Sequence, residues 1–287
     1  MRHSWIAILW LAATLGAGPA GAAVERIAGI FAAANATPRA TASLTVERAG
    51  PLEAKLDLWE AAHGSPIRNY DLDMTKRLHM IVISDDFRSF QHLHPTLGPD
   101  GHFTIDLRVP KPGRYEIYAD AVPHGLGNQV FRFPVIFGRA TPAAPDLSAT
   151  GKTANAGPYT VSLGATTLRA SAMTMLNVRI TKNGAPAEDL RPYLGAAAHA
   201  VFIDAATLDY VHVHPLLGTP GMGATGGMNM PGMDEPAAPP PSLPDDAKVP
   251  ASFAVHVSPV RAGRYKLWLQ FRGSNGLNVA PFVLDAN

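Results

Sequence analysis

The chain has no cysteine. No disulfide framework can brace the fold, and no thiolate is available as nucleophile or metal ligand. Charge is sparse too. Asp, Glu, Lys and Arg make up 16% of residues, and the formal net charge is +1. No basic field exists to attract nucleic acid, and no acidic tract suggests a cationic partner. A Gly-x-Ser-x-Gly elbow, a phosphate loop and a dinucleotide glycine pattern are all missing. The expectation is a protein that is not an enzyme and has no catalytic residues. Long apolar runs are missing as well. The run from Trp5 to Leu11 is the most apolar, and it falls short of the roughly 20 residues that span a bilayer.

That run follows Arg2 and His3 and leads into small residues ending at Ala22-Ala23. A basic start, a short apolar stretch and a small-residue exit read as a secretory signal peptide over 1–22. The expected location is periplasmic or secreted, with no transmembrane span after cleavage. The 26 glycines and 26 prolines fall between short apolar runs, which favours strands and turns over helices.

Period-two alternation begins at Leu44 and recurs through Leu56, Leu78–Ser84 and Phe103–Val109. The second half repeats this order. His79, His92 and His94 recur as His199, His212 and His214, each 120 positions later. Gly64-Ser65-Pro66 recurs as Gly184-Ala185-Pro186 at the same offset, and Gly113-Arg114-Tyr115 as Gly263-Arg264-Tyr265 at 150. About 30 residues have therefore been inserted into the second copy. The expected fold is all-β: two tandem antiparallel β-sandwiches, immunoglobulin-like or cupredoxin-like. Residues 23–43 read as a linker, 44–140 as the first sandwich and 141–157 as a second linker. Residues 158–287 read as the second sandwich, with a Met/Pro-rich insertion over about 218–249.

Strand parity explains the histidine spacing. If Ile203 pairs with Tyr210 in a hairpin, Val201 faces His212 and His199 faces His214. All six side chains then share one sheet face. Directly opposite Cβ atoms stand roughly 4.5–5.5 Å apart, so three imidazoles can reach one ion. His79, His92 and His94 repeat this arrangement as a second, weaker site. His256 aligns with Asp106 on a later strand and is a further candidate ligand of the second copy. The insertion contributes Met222, Met228, Met230 and Met233, soft thioethers suited to Cu(I). Copper is the expected metal, with zinc as second choice. The rival reading is a non-metal envelope scaffold or interaction module whose histidines are bonded to backbone.

The strings Leu194-Gly195-Ala196-Ala197-Ala198-His199 and His212-Val213-His214-Pro215, followed by Gly263-Arg264-Tyr265, resemble an uncharacterised group of exported bacterial proteins. That group carries an immunoglobulin-like domain with a Leu-Gly-Ala…His and His-x-His-Pro signature. The resemblance covers the second unit well. The first lacks the Leu-Gly-Ala string. It implies the sandwich fold but no activity. A looser similarity to periplasmic copper-carrier sandwiches rests on His and Met usage alone. His-Val-His on a sandwich is also similar to copper/zinc superoxide dismutase, but the cysteines and zinc-loop histidines of that family are missing. Cupins share His-x-His, yet the glutamate that should follow is missing.

Overall fold

A computed structural model describes residues 23–33, 36–215 and 242–287. The expected signal peptide and the methionines Met222, Met228, Met230 and Met233 lie outside the described residues. Among the described residues there is no helix, and so none long and apolar enough to cross a membrane.

Each half is a sandwich of two sheets. In the first, one sheet runs Val24–Ala28, Thr41–Gly50, Glu53–Ala62, His102–Arg108, Thr96–Leu97. The facing sheet runs Ile30–Phe31, Gln129–Phe137, Gly113–Pro123, Leu78–Ser84, Phe90–Leu93. In the second half, Thr167–Leu168, Gly276–Ala286, Gly263–Gly273, His199–Asp204 and Tyr210–Val213 repeat that facing sheet. Thr174–Lys182 pairs with Tyr159–Leu163 and with Ser252–Val257 in the other. Both halves follow the strand order of immunoglobulin sandwiches. A buried tyrosine corner marks the same strand in each. The Tyr115 hydroxyl donates to the Lys111 carbonyl at 2.9 Å, and the Tyr265 hydroxyl to the Arg261 carbonyl at 3.0 Å.

The stretch 23–43, expected to be a linker, carries structure. Val24–Ala28 pairs with Ser43–Glu47, and Ile30–Phe31 with Phe131–Arg132. Its apolar residues are mostly alanine, and the larger Val24, Ile27, Ile30 and Phe31 do not recur at a period of two, so alternation does not reveal it. The duplicated Gly64 and Gly184 close two-residue hairpins. His63-Gly64 and Asn183-Gly184 all have positive φ, between 50° and 81°. Such turns match the right-handed twist of the strands they join, and glycine adopts them without strain.

The Leu78–Ser84 and His199–Asp204 strands are buried along their whole length. Parity divides their side chains. Leu78, Met80 and Val82 face the first sandwich core, and Ala200 and Phe202 the second. Ile81, Ile83, Val201 and Ile203 belong to a third apolar cluster that draws on both halves. The two outward sheet faces therefore pack against each other. The stacked pair Phe90–Trp268 has ring centroids 5.2 Å apart, and Tyr118–Tyr210 5.1 Å. Phe90 aligns with Tyr210 and Trp268 with Tyr118, so the interface is an approximate two-fold built by gene-internal duplication.

Candidate metal centre

His79 and His199 continue the outward faces of their strands, so both point into this interface. The hairpin registers are those that parity required. Ile203 pairs with Tyr210 and Val201 with His212; Ile81 pairs with His92. The two expected three-histidine faces do not stay apart. They meet as one cluster of six imidazoles. The His79 ring lies 5.1 Å from that of His212 and 5.9 Å from that of His199, and His92 lies 5.1 Å from His199.

Four of the rings form the centre. One nitrogen from each of His79, His92, His199 and His212 lies within 4.8 Å of the others. Their remaining nitrogens are fixed outward. His79 Nε2 donates to the Asp73 carbonyl at 3.2 Å, and His199 Nε2 to the Tyr193 carbonyl at 2.9 Å. His92 Nδ1 donates to Gln270 Oε1 at 2.8 Å, and His212 Nδ1 to Asp120 Oδ2 at 3.1 Å. Each half thus orients a histidine of the other. Asp120 and Gln270 occupy equivalent positions at offset 150, the offset of Gly-Arg-Tyr.

A carbonyl can only accept, so His79 and His199 carry their proton on Nε2. Asp120 is buried; burial and the Asp73 charge raise its carboxyl to about 6, where it still accepts near neutral pH. The inward atoms are then bare lone pairs: Nδ1 of His79 and His199, Nε2 of His92 and His212. Yet His79 Nδ1 lies 2.9 Å from His92 Nε2, and His199 Nδ1 3.2 Å from His212 Nε2. Facing lone pairs at that range repel unless a cation lies between them. Burial, reinforced by neighbouring imidazoles, holds His92, His199 and His212 well below the usual histidine range. A proton is therefore a poor occupant of those three rings.

His94 and His214 flank the four. His94 Nε2 lies 3.3 Å from His92 Nε2, and His214 Nε2 2.9 Å from His199 Nδ1. Burial depresses both, to about 3 and about 4.

The carbonyls that orient His79 and His199 come from two tight turns. Tyr193 and Ala196 exchange backbone bonds of 2.9 and 3.1 Å around Leu194-Gly195. Asp73 and Lys76 do the same around Met74-Thr75. In the second turn only Met74 has positive φ, so no glycine is required there. The Leu-Gly-Ala string is thus a turn that anchors a histidine, and the first half makes its version from other residues.

His256 is not part of the centre. Phe253, Val255 and Val257 fill the second core, which turns His256 outward on the opposite sheet, across from the exposed Met175. Its alignment with Asp106 was sound, but its strand belongs to the sheet remote from the histidines. His102 bonds to Asp57 and His124 to Asp71, both away from the centre. Asp73, Asp120, Tyr193 and Gln270 were not singled out from sequence.

The family model of a domain of unknown function (DUF8832) matches residues 35–136 and 152–287. The chain belongs to the DUF8832 family. This fits the expected uncharacterised group with tandem domains. No curated protein matches the chain. Solved structures with some likeness include a glycosyl hydrolase family 2 member from Bacteroides cellulosilyticus. It has 9% identity and a TM-score of 0.23, covering 94% of this chain and 29% of that one. Another, titled pT26-6p, has 8% identity and a TM-score of 0.20, covering 92% of this chain and 66% of that one. The DUF8832 chain spans less than two thirds of either.

Proposed function

We propose that this protein binds a single transition-metal ion between its two sandwiches, through His79, His92, His199 and His212. The observation that carries the reading is the set of inward lone pairs whose outward nitrogens are all engaged. His94 and His214 can donate to two of them. His79 Nδ1 and His212 Nε2 would still lack a donor, which a buried hydrogen-bond network rarely tolerates.

Four imidazole nitrogens suit Cu(II) or Zn(II). A tetrahedral ion with bonds of about 2.0–2.1 Å sets its ligands roughly 3.3 Å apart, near the 2.9 Å of the His79–His92 pair and the 3.2 Å of the His199–His212 pair. Copper is favoured. The sequence between His214 and Ser242 carries Met222, Met228, Met230 and Met233, soft thioethers that suit copper. With the exported location read from the N-terminus, this supports metal storage, delivery or resistance in the envelope.

Titration of purified, tag-free protein with Cu(II), Cu(I) and Zn(II) tests the reading, with bound metal measured by elemental analysis. One ion per chain is expected, abolished in a His79/His92/His199/His212→Ala variant. No bound ion and no metal-dependent melting shift would leave the interaction-module reading in its place.

A further inference from the structure

The centre has a second, outer set of ligands. Ligand atoms of Asp73, His212 and His214 also lie within 4.8 Å of one another. Asp73 is part-exposed, and its carboxylate stands 4.0 Å from His214 Nδ1. A cavity of about 260 Å³ opens on this side, lined by Asp73, Asp120, Asn128, Tyr210 and His212. His212 belongs to both sets. Its Nδ1 is committed to Asp120, so it offers one nitrogen inward and can serve one ion at a time.

We propose that Asp73, His212 and His214 form a loading position, through which a divalent ion enters and leaves the four-histidine centre. This rests on the function proposed above and deepens it. An arriving hydrated cation meets a carboxylate first, which suits an ion still carrying water. It then keeps His212 and exchanges Asp73 and His214 for His79, His92 and His199. His214 is placed for that exchange, with Nε2 at His199 and Nδ1 toward Asp73. No charge is created or lost in the transfer; only ligands change.

The path is one-sided. At the position equivalent to Asp73, the other half has Tyr193, whose ring lies 6.5 Å from His94. A phenol kept protonated by burial offers no anionic ligand there. The approximate two-fold is thus broken at one residue pair, and that pair decides which face admits the ion.

Stopped-flow mixing with Cu(II) or Zn(II) alone tests this on the full chain, followed by EDTA-driven release. Asp73→Asn keeps the backbone carbonyl that holds His79 but removes the charge; His214→Gln removes the second outer ligand. Both variants should load and release the ion at least about tenfold more slowly, while still binding one ion per chain. Unchanged rates with one ion bound would overturn the loading position and leave the centre standing. Loss of the ion from Asp73→Asn would also overturn it, by making Asp73 a resident ligand. No binding by the wild-type chain would overturn both proposals.

Discussion

Positions 60 and 70 separate the two halves at the scale of single residues. Glu60 is fully buried in the first sandwich. The Tyr70 hydroxyl is its nearest polar neighbour, and the two share at most a long, weak hydrogen bond. At offset 120 the second half has Ile180 and Leu190, both buried. Burial pushes the Glu60 carboxyl up to about 8; Tyr70 opposes the shift and the Asp120 charge adds to it. Protonation is therefore easier in the folded chain than in the unfolded one. The contribution of Glu60 to stability is full below about pH 4.5, falls as pH rises through that window, and is lost above about pH 8. Glu60→Gln should flatten this slope and add a few kcal/mol at alkaline pH. Urea unfolding at several pH values checks it, and an unchanged slope would contradict the burial argument. At the centre, Gln270→Leu should leave one ion per chain but weaken its binding about 10- to 100-fold, because His92 loses the acceptor that orients it. Competition titration against a chelator of known affinity reads the change. The histidines of the cluster were legible in the sequence because they recur as one residue type at one offset. Asp120 and Gln270 were not, because the duplicated positions hold different residues that share only a role as acceptor.

Among elements, the hairpins were the easiest to read and the sheet assignment the hardest. Parity tied the histidines to the register of the His199 and His212 strands, since a one-residue slip would have put His199 on the face opposite His212 and His214. It said nothing of which sheet the Phe253–Val257 stretch joins, and so it could not exclude His256. The unbroken apolar run Met80–Ile83 did hold a clue. A strand buried on both faces must have a second partner, and here that partner is the other sandwich. The turn at Leu194-Gly195 carries its own prediction. Gly195 has φ of +79°, and an added Cβ would approach the Ser242 Cβ to 2.6 Å. Gly195→Ala should cost about 1–3 kcal/mol through strain at this position. It should also loosen His199, whose Nε2 partner is in the same turn. Thermal melts would show the first effect, and reduced metal affinity the second. A variant with normal stability and affinity would show that the turn does not position the histidine.

For the whole molecule, the shared centre would make a bound ion a clasp between two domains. Neither half supplies a complete set. The first gives His79 and His92, the second His199 and His212, and each set depends on an acceptor from the other half. The apolar interface around Ile81, Val201, Tyr118 and Trp268 holds the faces together without metal. It also confines the imidazoles against one another, with their lone pairs opposed. An ion relieves that opposition only while both halves are in place. Binding should therefore stabilise the docked pair rather than either sandwich alone. At a free ion concentration 100 times Kd, the gain is about 2.7 kcal/mol. Two unfolding transitions in chelator should merge into one higher transition when copper or zinc is added, as calorimetry would record. The separately expressed halves, 23–140 and 152–287, the second cut to keep the Thr153–Ala156 strand that pairs with Tyr159–Ser162, should each bind the ion far more weakly than the intact chain, and should associate with each other more tightly when it is present. If one half alone binds as tightly as the whole chain, the ion is held within a single domain and the clasp does not exist.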